Sequence, residues 1–221
     1  MKISAIIRRS VAGLLITTVA LCAFGCSVTK SKKDKKENDQ EIEVDAISSR
    51  DMDKAFRNAA EEYGLEEFEW SKRYEADTRL YGLSNIKSNG DDAEEIFRSS
   101  VAFIFGASMV DEMPEIRDIS VFYLSEDNEW IYGHYIVFEN EEDCEEYRDM
   151  FFDMFGDEIE EEKGYECFTR MLDGRMDALY RDGNVLIWIY DCFRAYPPVM
   201  AQYIYDELGL TFPEKTEETS D

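Results

Sequence analysis

Two Asp-Gly pairs nine residues apart, Asp173-Gly174 and Asp182-Gly183, do more than any other feature to limit the folds open to this chain. Asp-Gly between runs of β-branched and aromatic residues signals a tight hairpin, because glycine adopts the positive φ that such turns need without steric cost. The runs they divide, 165–171, 175–181 and 185–191, predict an antiparallel meander. Within it Val185–Tyr190 is apolar at every position, on both faces of the strand, which predicts a central place in the sheet. A second hairpin is expected upstream, Ile119–Leu124 and Trp130–Phe138, about the polar turn Ser125–Asn128. Residues 67–74 and 79–84 also read as strands.

Helices are expected where apolar residues recur at a period of 3.6. Met52, Ala55, Phe56, Ala59, Ala60 and Tyr63 share one face of a helix over 49–63, capped by Ser48 or Ser49 and stopped by Gly64. Asn89–Asp92 opens a second, with Ile96, Phe97, Val101 and Ile104 inward. Asn140–Asp143 opens a third, with a stripe of Cys144, Tyr147, Phe151 and Phe155 and a stop at Gly156. Pro197 and Pro198 introduce a fourth, with Val199, Met200, Tyr203, Ile204 and Leu208 inward and Gly209 at its end.

Short links between strands and helices predict an α+β domain over 48–212, a mostly antiparallel sheet with helices packed on one face. Tyr81-Gly82, Asn89, Asp92 and Glu94-Glu95 recur 51 residues later as Tyr132-Gly133, Asn140, Asp143 and Glu145-Glu146. That offset makes two related ββα units a candidate reading of the first half. Residues 213–221 read as an acidic flexible tail.

The first 26 residues carry an address. Lys2, Arg8 and Arg9 form a basic start, and Val11–Phe24 is an uncharged apolar stretch. At 1.5 Å rise per residue it is too short to cross ~30 Å of hydrocarbon. A basic start, a short apolar run and a small residue before the cut describe a secretory signal peptide. Ala23-Phe24-Gly25-Cys26 resembles the lipobox of bacterial lipoproteins. Leu21 is too large for the small-residue slot before Cys22, which leaves Cys26 as the acceptor. The resemblance implies cleavage between Gly25 and Cys26 and a diacylglyceryl group, with acyl chains such as palmitate, on the Cys26 thiol. It implies a cell-membrane anchor on the extracytoplasmic face, with the membrane as a partner through that lipid. Two acyl chains hold a protein firmly where one does not, at ~0.8 kcal/mol per buried CH₂. Residues 26–47, with the lysine run Lys30–Lys36, lack apolar periodicity and read as a flexible tether.

The whole chain carries a net charge of −26, with 50 acidic against 24 basic residues. No acid lies in residues 1–25, so the rest is more negative still. Such a surface repels phosphate backbones, which argues against nucleic-acid binding. Beyond the leader, Cys144, Cys167 and Cys192 make an odd number, so at least one is unpaired; Cys167 with Cys192 is the pairing considered.

No GxGxxG, P-loop, HExxH, GxSxG or EF-hand series is present. The lone histidine, His134, lies mid-strand among aromatics, where a packed structural role is expected over a catalytic triad. Glycoside hydrolysis needs only two carboxylates about 5–10 Å apart across a sugar. Glu141–Asp143 and Asp157–Glu162 are acid-rich enough to suit Ca²⁺, although the first run also suits a helix dipole and the second, following a helix, reads as a solvated loop. No residue is assigned as catalytic or as a metal ligand, and no cofactor is implied. The leading expectation is a non-enzymatic envelope module that binds a protein or glycan, with an exposed aromatic patch sought among Trp130, Tyr132 and Tyr135. The alternatives are a carboxylate-based carbohydrate hydrolase and a Ca²⁺-dependent adhesion or stability module.

Overall fold

The computed structural model describes residues 46–71, 81–105, 115–155 and 160–214. The leader, Gly25, Cys26 and the tether to residue 45 lie outside these residues, as do 72–80, Gly156 and 215–221. The elements run α1 (Ser49–Glu62), β1 (Gly82–Asn89), α2 (Asp91–Phe105), β2 (Ile116–Glu126), β3 (Glu129–Phe138), α3 (Glu141–Phe155), β4 (Glu160–Glu162), β5 (Tyr165–Leu172), β6 (Arg175–Asp182), β7 (Val185–Phe193) and α4 (Val199–Leu208).

Seven strands form one sheet in the order β1-β2-β3-β7-β6-β5-β4, every neighbouring pair antiparallel. The expected meander is present, and β7 is the middle strand. Its turn with β6 sits one residue later than Asp-Gly suggests: Asp182 pairs with Val185, so Gly183 and Asn184 make the loop. Gly183, at φ 55°, occupies the first loop position, where a glycine-first hairpin turn needs it. The β2–β3 hairpin is likewise tighter than expected, because Glu126 pairs with Glu129 across Asp127-Asn128.

Alternation along the strands divides the core in two. On one face Phe122, Leu124, Ile131, Ile187 and Ile189 pack under α1 and α4. On the other, Ile119, Val121, Ile136, Phe138 and Trp188 pack under α2 and α3. The helices therefore cover both faces of the sheet, which corrects the expectation of one covered face. The physical reason lies in β7. Leu186–Tyr190 is buried at every position, and an apolar strand on both sides leaves water only if both sides are roofed. Gly133 sets the depth of α1: a Cβ there would lie 2.6 Å from the Phe56 ring, so α1 packs almost onto the β3 backbone.

Three other expectations change. Residues 67–74 form no strand among those described; Glu67 makes one parallel bridge to Leu83, and Phe68 packs edge-on against Tyr123 at 6.1 Å. The expected strand at 79–84 lies instead at 82–89. In α4 the buried set is Met200, Ala201, Ile204, Tyr205 and Leu208, with Val199 47% exposed and Tyr203 half-buried, so the inward stripe is rotated from the expected one. Helix starts read well: Ser48 and Asp51 form a reciprocal capping box on α1, and Asn140 Oδ1 accepts from the Asp143 amide on α3.

The 51-residue offset maps onto two strand–helix units, β1–α2 and β3–α3. Both helices lie on the same face, their Phe97 and Tyr147 rings 5.0 Å apart. The matched residues differ in role. Gly82 takes φ 146° against the Glu66 carbonyl while Gly133 makes room for Phe56, and Asn140 caps a helix while Asn89 pairs with Asp118. Pro213 is buried and Glu214 exposed at the end of the described chain.

Candidate functional site

The two ends of the sheet differ in what they gather. At one end α1, α2 and α3 begin, and Asp51, Asp91, Asp92, Glu94, Glu141, Glu142 and Asp143 occupy their first turns. Negative charge there is stabilising, because each helix start presents unpaired N–H groups and the positive pole of its dipole. Glu141 and Glu145, together with Glu166 of β5, converge on Arg181, whose side chain is only 5% exposed, at 2.8–3.1 Å. Arg148 also pairs with Glu166. This acidic end is tied down by its own cations. The described chain enters there too: the Tyr165 hydroxyl accepts from the Ile47 amide, and Ser49 Oγ lies 2.8 Å from Ser120 Oγ. A shallow cavity of about 390 Å³ lies beside them, lined by Lys87, Asn89, Asp118 and Tyr135 among others.

The opposite end is aromatic. Among the described residues the large apolar side chains left exposed are Tyr81, Tyr196 and Val199, at 40%, 60% and 47%. Chain contacts place them together. Tyr81 donates to Asp127 at 2.5 Å in the β2–β3 turn, and the Asn128 carbonyl of that turn accepts from the Arg194 amide. Arg194 then lies over the Trp130 ring, and Tyr196 is 6.4 Å from Phe193. Tyr63, at the finish of α1, donates to the Val199 carbonyl and meets Tyr203 edge-on. Such aromatics are the side chains that anchor partners, since each presents a large rigid apolar surface with a polar tip.

Behind this rim, a cross-strand row on the α2–α3 face runs Ser84, Tyr123, Tyr132, Tyr190, Asp177, Arg170 across six strands. Asp177, 1% exposed in its side chain, takes a two-point grip from Arg175 at 2.8 and 3.0 Å, with Arg170 at 3.4 Å. The Arg175 guanidinium in turn sits 5.0 Å over Tyr190. Three of the chain's arginines, Arg170, Arg175 and Arg194, thus stand at or just behind the aromatic end, with the acids Glu126, Asp127 and Asp173 in its turns.

Beneath the first turn of α4, at this same end, two acids are buried. Glu129 is 4% exposed and accepts from the Met200 and Ala201 amides at 3.1 and 2.6 Å. It supplies the cap that the helix's own N-cap residue, Pro198, does not. Asp191 is fully buried, and neither carboxylate oxygen has a hydrogen-bond partner. Burial pushes both carboxyls up from their ordinary range; the Glu129 charge pushes Asp191 further, and the Cys192 amide opposes only in part. These two neighbouring acids lie under a helix rather than in a cleft.

The residues singled out from sequence scatter. Tyr132 is buried at 4% exposure, Trp130 is half-buried at the aromatic end, and Tyr135 is half-buried on the other face beside the small cavity. They make no common patch. His134 is fully buried and stacks on Trp188 at 4.5 Å. Cys144, Cys167 and Cys192 are all free thiols, and Cys167 and Cys192 stand on opposite faces of the sheet. Burial raises the first two to about 11. Among the described residues no three His, Cys, Asp or Glu side chains gather closely enough to hold a metal, and no helix is long and apolar enough to cross a membrane. Glu160–Glu162, expected as loop, pairs as the short outer strand β4. Sequence reasoning missed Tyr81, Tyr196 and Val199. The available signal was placement: Tyr196 precedes a double proline, and Val199 is the first residue of the helix those prolines introduce.

Compared with protein-family models, with curated proteins and with solved structures, the chain finds no match.

Proposed function

We propose that the chain is a lipid-anchored extracytoplasmic protein, held at the cell membrane through Cys26, that binds a protein or glycan partner with the aromatic end of its sheet and performs no chemistry on it. The observation that carries this reading is the gathering of Tyr81, Tyr196 and Val199 at one end. Exposed apolar side chains scattered singly need no explanation, whereas a shared location points to contact. Two further features support it. The chain joins the domain at the acidic end, so the attachment point and the aromatic end are on opposite ends of the sheet. Among the described residues Glu129, Asp177, Asp191 and His134 are buried, and so are the Cys144 and Cys167 thiols, which burial raises to about 11.

The test is capture from intact cells with the whole chain, beside a Tyr81→Ala/Tyr196→Ala double variant and a Cys26→Ser variant. A partner retained by the parent chain and lost with the tyrosine pair supports the site. Loss of membrane association in Cys26→Ser, with residues 1–25 absent from the parent by mass spectrometry, supports the anchor. Release of sugar from a polysaccharide by the purified chain overturns the non-enzymatic reading.

A further inference from the structure

We propose that Glu129 and Asp191 form a proton-linked latch under α4, holding the Tyr196–Val199 segment on the sheet while Asp191 keeps its proton and releasing it when that proton is lost. The geometry is specific. Glu129 grips the Met200 and Ala201 amides, the first turn of α4, directly after that segment. Asp191 stands two residues along β7 from the Glu129 partner Phe193, on the same face, fully buried.

Among the described residues, the groups that face the pair supply no positive charge. From the β2–β3 turn comes Glu126, from the finish of α1 Tyr63, from α4 Tyr205, and from β7 itself the Cys192 thiol. One ionised carboxylate is tolerated, because two amides and a helix start receive it. A second, enclosed beside it with only the Cys192 amide nearby and no well-placed donor, is strongly disfavoured. Ionising Asp191 therefore favours the state in which α4 lifts and water reaches the carboxylate.

The sign follows from linkage. Asp191 holds its proton more tightly with α4 seated than in water, so the seated state is fully favoured below the ordinary carboxylate range and loses ground as pH rises through the seated value. One proton released on opening makes the opening constant rise by up to about tenfold per pH unit in that window. That this opening alters partner binding rests on the aromatic-end reading above; the latch itself does not.

The experiment is amide hydrogen exchange on the whole detergent-solubilised chain from pH 5 to 8, with no partner present, corrected for intrinsic exchange. Opening of the α4 amides is expected to increase with pH in the parent chain and to rise less steeply in Asp191→Asn, where Glu129 alone is left to titrate. Glu129→Gln keeps an oxygen for the helix amides but removes the neighbouring charge, and a shallower slope is expected. An Asp191→Asn slope equal to the parent's overturns the latch, and so does a parent chain with no slope. Should Asp191→Asn fail to fold, an unchanged slope in Glu129→Gln overturns it. A sloping α4 in a chain whose partner ignores Tyr196→Ala supports the latch and removes the binding reading, so the two fail separately.

Discussion

The acidic and aromatic ends are built from the same strands yet solve opposite problems. At the acidic end three helices start, carboxylates answer their dipoles, and Arg181 draws three glutamates together. That end stays negative overall, but its carboxylates are answered by helix starts and by Arg181 and Arg148. At the aromatic end the strands run out into short turns, one helix begins without a side-chain cap of its own, and tyrosines stand exposed. Its buried acids are not balanced: among the described residues none supplies a cation to Glu129 or Asp191. The contrast teaches that the carboxylates at one end are matched to helix starts and arginines, while the other end keeps exposed apolar side chains above two buried acids.

The largest expected effect breaks the acidic end. Arg181→Ala removes the shared cation and should cost about 2–3 kcal/mol at neutral pH, less than a fully buried pair because its glutamates remain half-exposed. Glu166 is held below its ordinary value, chiefly by Arg181. Its contribution is therefore present above the ordinary glutamate range and fades as pH falls through the lowered value, so the cost should shrink in acid. Urea denaturation at pH 7 and pH 4 checks both statements.

At the other end the sign reverses. Asp191→Asn should stabilise the protein by about 1–2 kcal/mol at pH 7, since the parent must take up a proton to bury Asp191 there and the amide need not. The gain should shrink as pH falls and disappear below the ordinary aspartate range, where the parent residue is neutral in both folded and unfolded chains. Thermal melts across that range read it directly.

Tyr196→Ala sharpens the comparison by separating binding from stability. A partner-binding loss of about 2 kcal/mol, roughly thirtyfold, is expected of an anchor residue, with stability unchanged to within about 0.5 kcal/mol. Titration against the captured partner and a melt of the same sample give the two numbers. Smallest of all, Glu142→Gln at the acidic end should cost about 0.5 kcal/mol through the α3 dipole and leave binding untouched.

The parts of the fold legible in sequence were those where local and global signals agree. The Asp173-Gly174 turn, the stripe Cys144-Tyr147-Phe151 and the Ser48 cap each follow from chemistry within a few residues, and each is in place. Misreadings arose where tertiary partners decide. Phe68 and Trp70 alternate like a strand, but they pack against the sheet from outside it. The run Ser84–Asn89 is too polar to look like a strand, yet β1 is an outer strand with one wet side. The glutamates of β4 read as loop for the same reason, and charge on an outer strand also deters pairing with other chains. The first turn of α4 is held by Glu129, 71 residues before Met200, which no periodicity within the helix announces. The candidate site was less legible than the fold, because exposure at a sheet end depends on which turns meet there, and sequence alone does not bring Tyr81 to Asp127 or Asn128 to Arg194.

Site-specific photo-crosslinking in living cells tests the two-ended account most directly, with the probe at position 196 in one variant and at position 142 in another. The account predicts a discrete adduct from position 196 and none from position 142. An adduct from position 142 alone, or equal adducts from both, contradicts it.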